Sequence, residues 1–213
     1  MADPSTEEAA AEVTRIMRRV EQAFLIGVPG TTEVWLIRHG DCYQEMTDGG
    51  DPPLSPLGRA QAERVAERIR AASVSALYSS DSARARQTAE AVGREITVDP
   101  RLREIENDPA AAVRLVLNRH QSFTESAEEV GRRMGEAVDE AAAAHPGERI
   151  AMLTHGVAIL CYVGGLMGLE VPAGLRLIPY YTSVTVVRVN LDLDRRMVGS
   201  LVDATHLTQA EIG

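Results

Sequence analysis

Arg38-His39-Gly40 follows directly on the apolar run Val34-Trp35-Leu36-Ile37, which sets a guanidinium and an imidazole where a buried strand would surface. Histidine is an accepted covalent nucleophile, and a neutral imidazole at such a strand end can attack phosphorus and form a phosphohistidine. Phosphoryl transfer also needs cations on the non-bridging oxygens and a proton donor for the leaving oxygen. Three later segments supply those residue types: Arg84-Ala85-Arg86-Gln87-Thr88-Ala89, Leu102-Arg103-Glu104-Ile105 and Leu153-Thr154-His155-Gly156. Arg38 and Arg84 offer planar forks that match phosphate oxygens, and each charge-assisted bond in a desolvated site contributes about 1.5–3 kcal/mol. His155 is a further donor if protonated, which Arg38 opposes and a bound phosphate dianion favours. Glu104 can protonate the leaving oxygen once burial or a neighbouring acid lifts its pKa; Glu106 could supply that second charge or take the role itself.

These residues need elements to hold them. From residue 33 the chain alternates strands and helices: a strand at 33–38, a polar loop at 41–54, a helix opening at Ser55-Pro56, a strand at 76–79 and a helix at 82–93. An edge strand at 96–98 and a helical stretch at 110–118 follow. Ser122-Phe123-Thr124-Glu125 fits a capping box that opens a long helix, stopped by Pro146-Gly147. A strand at 149–154, a helix at 156–168 and a hairpin pairing 183–190 with 196–202 complete the pattern. Alternation of this kind predicts an α/β fold, a mainly parallel central sheet flanked by helices on both faces. Ligands in such sheets bind beyond the carboxyl ends of strands, where His39 and His155 both fall and toward which Arg84 follows a third strand end.

Before residue 31 the helical spacing of Val13, Ile16, Met17, Val20 and Phe24 predicts an amphipathic helix. Its apolar stripe is expected to pack on the chain's own domain, with pairing in a homodimer as the alternative. The expected organisation is an N-terminal helical extension at 1–30, one catalytic domain at 31–205 and a tail at 206–213.

Composition narrows the chemistry. The 213 residues are 45% hydrophobic and 25% charged, ordinary for a soluble globular chain, and the net charge of −9 argues against a nucleic-acid surface. All 22 basic residues are Arg, which removes Schiff-base lysines and the P-loop lysine. Cys42 and Cys161 are far apart and form no metal or disulfide pattern, and the acidic first residues lack the form of a secretory signal; a cytoplasmic location is expected. The charge-free stretch 150–169 is long enough for a membrane span, but His155-Gly156 and three further glycines read better as a buried strand and a buried helix. No membrane partner is expected.

In this order the four segments resemble the histidine phosphatase superfamily, the phosphoglycerate mutase-like proteins, over roughly residues 32–190. The resemblance implies a three-layer α/β/α fold with His39 as the phosphorylated nucleophile, Arg38, Arg84 (rather than Arg86) and His155 as phosphate ligands, and Glu104 as the acid. Asp51-Pro52-Pro53-Leu54-Ser55 with Gly58 is similar to the family's approach to its first helix. Two departures stand out: Glu45 where many members carry Asn, and Glu106-Asn107-Asp108-Pro109 where many broad phosphatases have Gly-x-Trp-Glu-Gly. The glycolytic mutases' Glu-Arg-His-Tyr-Gly, basic insertion and mobile tail have no counterpart, which favours phosphomonoester hydrolysis over phosphoglycerate mutase-type transfer; non-catalytic phospho-ligand binding is the third possibility. No metal or cofactor is needed. Asp41, Glu45, Asp48 and Asp51 at the expected mouth point to a small-molecule phosphomonoester with little extra negative charge, unless they form only a solvated loop. The whole reading requires both imidazoles and both guanidiniums to converge on one anion, with His39 reachable from bulk water.

Overall fold

The computed structural model describes residues 6–42, 51–105, 125–169, 177 and 179–212. Its elements are α1 (Thr6–Ala23), β1 (Thr32–Arg38), α2 (Pro56–Ala71), β2 (Ala76–Ser79), α3 (Ala83–Glu90), β3 (Thr97–Val98), α4 (Ala127–Ala144), β4 (Arg149–Thr154), α5 (Gly156–Leu166), β5 (Val184–Asn190), β6 (Arg195–Asp203) and a short α6 (Gln209–Ile212). The sheet runs β3-β2-β4-β1-β5-β6; the pairings from β3 to β1 are parallel, and the hairpin β5–β6 adds antiparallel strands at one side.

Alternation along β1 divides the core between the two faces. Val34 and Leu36 pack with Val130, Met134 and Val138 of α4 and Val157 and Ile159 of α5. Trp35 and Ile37 pack with Val65 and Ile69 of α2 and Ala89 of α3. Each fully buried aliphatic side chain here contributes about 1.5–3 kcal/mol. Helix α5 is buried all round, as expected of the charge-free stretch, and among the described residues no helix is long and apolar enough to cross a membrane.

Helix starts follow cap chemistry. The Ser55 hydroxyl accepts from the Gly58 N–H, with Pro56 in the first turn of α2. For α4 the sequence reading needs correction. Ser122 lies outside the described residues, and the capping box is Ser126 with Glu129, four residues later. Glu125 is instead held by Arg133, whose Nε lies 2.6 Å from its Oε1. The predicted helix 110–118 also lies outside the described residues.

A second correction concerns α1. Val13, Ile16, Met17, Val20 and Phe24 are 60, 50, 52, 45 and 51% exposed, so the stripe does not pack on the domain. Leu25, left-handed as Gly27 and Gly30 are, is the buried residue of the turn that follows α1. At the other end the chain folds back on α2, where Gln61 Nε2 donates to the Glu211 carbonyl at 2.7 Å.

Candidate active site

β1 and β4 are neighbours in parallel register, Arg38 opposite Thr154, so His39 and His155 emerge side by side at the carboxyl ends of the two strands. The His39 N–H closes the register on the Thr154 carbonyl at 3.0 Å. The imidazole centroids are 5.1 Å apart and tilted by 60°. The two imidazoles therefore share one crevice.

Two glycines make room for it. A Cβ on Gly40 would come within 2.6 Å of the Gly58 carbonyl oxygen, and one on Gly58 within 2.0 Å of the Asp41 carbonyl oxygen. The loop that follows His39 and the first turn of α2 therefore touch backbone to backbone. Gly58→Ala is expected to displace the Gly40–Asp41 backbone, cost about 2–4 kcal/mol of stability and lower turnover, measurable by thermal unfolding and phosphate release.

His39 Nδ1 lies 2.7 Å from the carbonyl oxygen of Gly40. A carbonyl only accepts, so Nδ1 carries the proton and the Nε2 lone pair is left for reaction. Burial, with Arg38 and Arg84 nearby, holds the pKa well below the ordinary histidine value, so the ring is neutral. Arg84 Nε donates toward Nε2 at 3.3 Å, and its guanidinium is held where an anion attached to Nε2 would lie. Thr88 steadies the arrangement: it donates to the Arg84 carbonyl at 2.7 Å and accepts from the Gly40 N–H at 3.0 Å.

His155 Nε2 lies 3.0 Å from the Ser80 hydroxyl and 3.3 Å from that of Ser82, whereas Nδ1 is buried without a hydrogen-bond partner. Its pKa is pushed well down by burial, then by Arg84, His39 and Arg38. In the tautomer whose Nε2 accepts from these hydroxyls, a neutral His155 carries its proton on the unpartnered Nδ1, and donation from there does not require the protonation expected from sequence. Arg38 also has an unpartnered Nε. Its Nη1 donates to the Pro179 carbonyl at 2.7 Å, and its guanidinium lies 3.9 Å from the Tyr181 ring centroid. Thr182, next in the chain, sits at φ 56°, strained for a β-branched residue, and donates its N–H to the Arg38 carbonyl at 3.0 Å.

Glu104 is 6% exposed and lies at the N-terminus of α5, directly after His155. Oε1 accepts from the N–H groups of Ile105 and Ala158, both at 3.0 Å, and Oε2 from Val157 at 3.2 Å. Burial raises its pKa; these N–H bonds, Arg84 and Arg38 pull it back. Oε2, with one long contact, is the oxygen free to carry a proton. Glu106 lies outside the described residues.

The acidic mouth divides. Asp41 is buried and takes the Ser55 hydroxyl at the cap of α2, so it serves the fold and not the mouth; Glu45 and Asp48 lie outside the described residues. Asp51 enters the site. It accepts from Arg84 Nη1 at 3.1 Å and from the Ala83 N–H at 2.8 Å, while its own side chain is 43% exposed. His39, Arg84 and His155 are 2, 1 and 0% exposed, so the expectation of a nucleophile open to bulk water is not met. Exclusion of water strengthens every charge interaction inside. Asp51 holds the phosphate-matching face of Arg84 at the solvent edge. Asp51→Asn keeps the acceptor for Ala83 and removes the competing charge; inorganic phosphate should then inhibit about fivefold more tightly, read from inhibition constants.

Sequence reasoning missed Ser80 and Ser82 as partners of His155, Asp51 as the partner of Arg84, and Tyr181 beneath Arg38. The first three lie in or beside segments already singled out; Tyr181 had no signal. The cysteines are not nucleophiles, because burial pushes the Cys42 thiol up to about 11 and that of Cys161 to about 12. Among the described residues no group of three or more His, Cys, Asp or Glu could hold a metal ion.

The family model described as "Histidine phosphatase superfamily (branch 1)" matches residues 34–196. The chain belongs to this superfamily. A relative named "Probable phosphoglycerate mutase GpmB", from Yersinia enterocolitica, is 31% identical over 68% of this chain and 79% of its own length. Among solved structures of similar fold, YhfR of Bacillus stearothermophilus superposes with a TM-score of 0.68 at 30% identity, covering 82% of this chain and 98% of that one. Phosphoserine phosphatase of Entamoeba histolytica, in complex with 3-phosphoglyceric acid, gives the same TM-score at 20% identity, covering 83% and all of its chain, which shows the shared fold. Membership in the histidine phosphatase superfamily and these relatives make the chain a phosphatase or mutase enzyme of phosphoglycerate mutase-like fold.

Proposed function

We propose that the chain is a metal-independent phosphomonoester hydrolase that works through a phosphohistidine on His39. His39 Nε2 attacks phosphorus in line with the ester oxygen, the P–O bond breaks, and Glu104 gives its proton to the departing alkoxide. Arg38, Arg84 and His155 Nδ1–H take the non-bridging oxygens. In the second half water attacks the P–N bond and gives its proton to Glu104, releasing phosphate and restoring neutral His39. The observation that carries this reading is the Nδ1 contact to the Gly40 carbonyl, which fixes the tautomer a nucleophile needs.

Hydrolysis is favoured over mutase transfer because a mutase must hold the far end of a doubly phosphorylated intermediate with extra cations, and Asp51 adds negative charge at the Arg84 side. The name of the Yersinia relative favours the second reading, phosphoglycerate isomerisation. The two separate in one assay. With a panel of monoesters including 3-phosphoglycerate and phosphoserine, hydrolysis predicts stoichiometric free phosphate. Accumulation of 2-phosphoglycerate without phosphate release would establish the mutase instead.

A further inference from the structure

We propose that α1 is a self-association element that pairs antiparallel with α1 of a second copy of this chain. Ala9, Val13, Ile16, Val20 and Ala23 recur at alternating steps of four and three, and Ala10, Met17 and Phe24 follow beside them at steps of seven, which lines them along one face. The five larger ones are each at least 45% exposed. An 18-residue helix with its apolar face in water is marginal on its own, and a partner over that face would stabilise it.

The charges select the partner and its direction. Glu8 and Glu12 lie in the first half of α1, and Arg15, Arg18 and Arg19 outnumber Glu21 in the second; Arg15 pairs with Glu12 and Arg18 with Glu21 within the helix, so the halves still differ in net sign. A parallel pair would set acids against acids and arginines against arginines; an antiparallel pair sets each half against its opposite. Antiparallel pairing also places Val13 against Val20, Ile16 against Met17 and Ala9 against Phe24, with Glu12 flanking Arg19 of the second copy. The surface is self-complementary, as a two-fold interface requires. An anionic lipid surface fits worse, because Glu7, Glu8, Glu12 and Glu21 outnumber the three arginines. α1 leads into the amino end of β1 whereas His39 leaves its carboxyl end, so pairing there leaves both active sites clear.

Sedimentation of the full chain at micromolar concentration tests this. A two-chain particle is expected, and Val20→Glu should weaken it more than about tenfold while para-nitrophenyl phosphate turnover per chain is unchanged. Glu12→Arg and Arg19→Glu should each weaken the particle, and their combination should restore it. A single-chain wild type, a dimer indifferent to Val20→Glu, or a double reversal no tighter than either single one would overturn the proposal. So would wild-type chain that binds phosphatidylserine vesicles and stays monomeric in solution.

Discussion

Alanine in place of His39 lowers turnover of any monoester by about 10⁴-fold or more, with the fold intact. The size of the effect follows from what is removed. In the proposed mechanism Arg38, Arg84 and His155 would remain to bind phosphate, so substrate affinity should change little while the nucleophile is lost. Cys42 cannot stand in, since its thiol titrates at about 11. Deleting the ring also leaves Arg84 Nε without its contact, an adjustable loss beside that of the nucleophile. Phosphate-release kinetics with a circular dichroism spectrum of the variant check the expectation; residual turnover within tenfold of wild type would place the nucleophile elsewhere.

Glu104→Gln should be nearly as costly, but only for some substrates. An alkyl ester leaves as a strongly basic alkoxide and needs a proton in the transition state, so its turnover should fall about 10²–10⁴-fold. Para-nitrophenolate leaves without one and should lose less than about tenfold. This contrast separates an acid from a structural cap, which matters because Glu104 also satisfies the start of α5 through Ala158 and Val157. Glutamine keeps the Oε1 acceptor but turns an amide toward the Val157 N–H, costing about 1–3 kcal/mol of stability. An equal loss on both ester classes would mean that Glu104 acts by positioning His155 alone.

The same two groups set the pH profile. In the proposed mechanism the neutral ring of His39 attacks, and its pKa is held well down, so the acid limb should appear only as pH falls through that lowered value. Glu104 must be protonated at the first step, and burial raises its pKa, so activity declines as pH rises through the raised value. For alkyl esters an optimum between the lowered His39 value and the raised Glu104 value is expected, and the alkaline limb should disappear in Glu104→Gln.

Local chemistry made much of this legible in the sequence. Val34 to Gly40 announced β1 and the residues at its end, and Ser55-Pro56 announced α2, because a buried strand and a capped helix write their signals within a few residues. Contacts between segments did not announce themselves. Ser80 meets His155 only because β2 lies beside β4 in a register that pairs Ser79 with Leu153. The start of α4 was ambiguous for a different reason: Ser122 to Glu125 and Ser126 to Glu129 have the same spacing, and Arg133 decides between them by holding Glu125 while also donating to the carbonyls of Arg101, Arg103 and Glu104. Amphipathic spacing showed that α1 has an apolar face; it did not say whether the domain covers that face, and the domain leaves it exposed.

The most direct test is to quench the protein during turnover of a phosphomonoester in alkali and map the phosphoryl group by mass spectrometry. A base-stable, acid-labile phosphate on Nε2 of His39, absent in His39→Ala, is the expected result. Full turnover with His39 unmodified at every time point, and oxygen-18 label passing from water to phosphate with inversion at phosphorus, would mean that water attacks directly and that no phosphohistidine is formed.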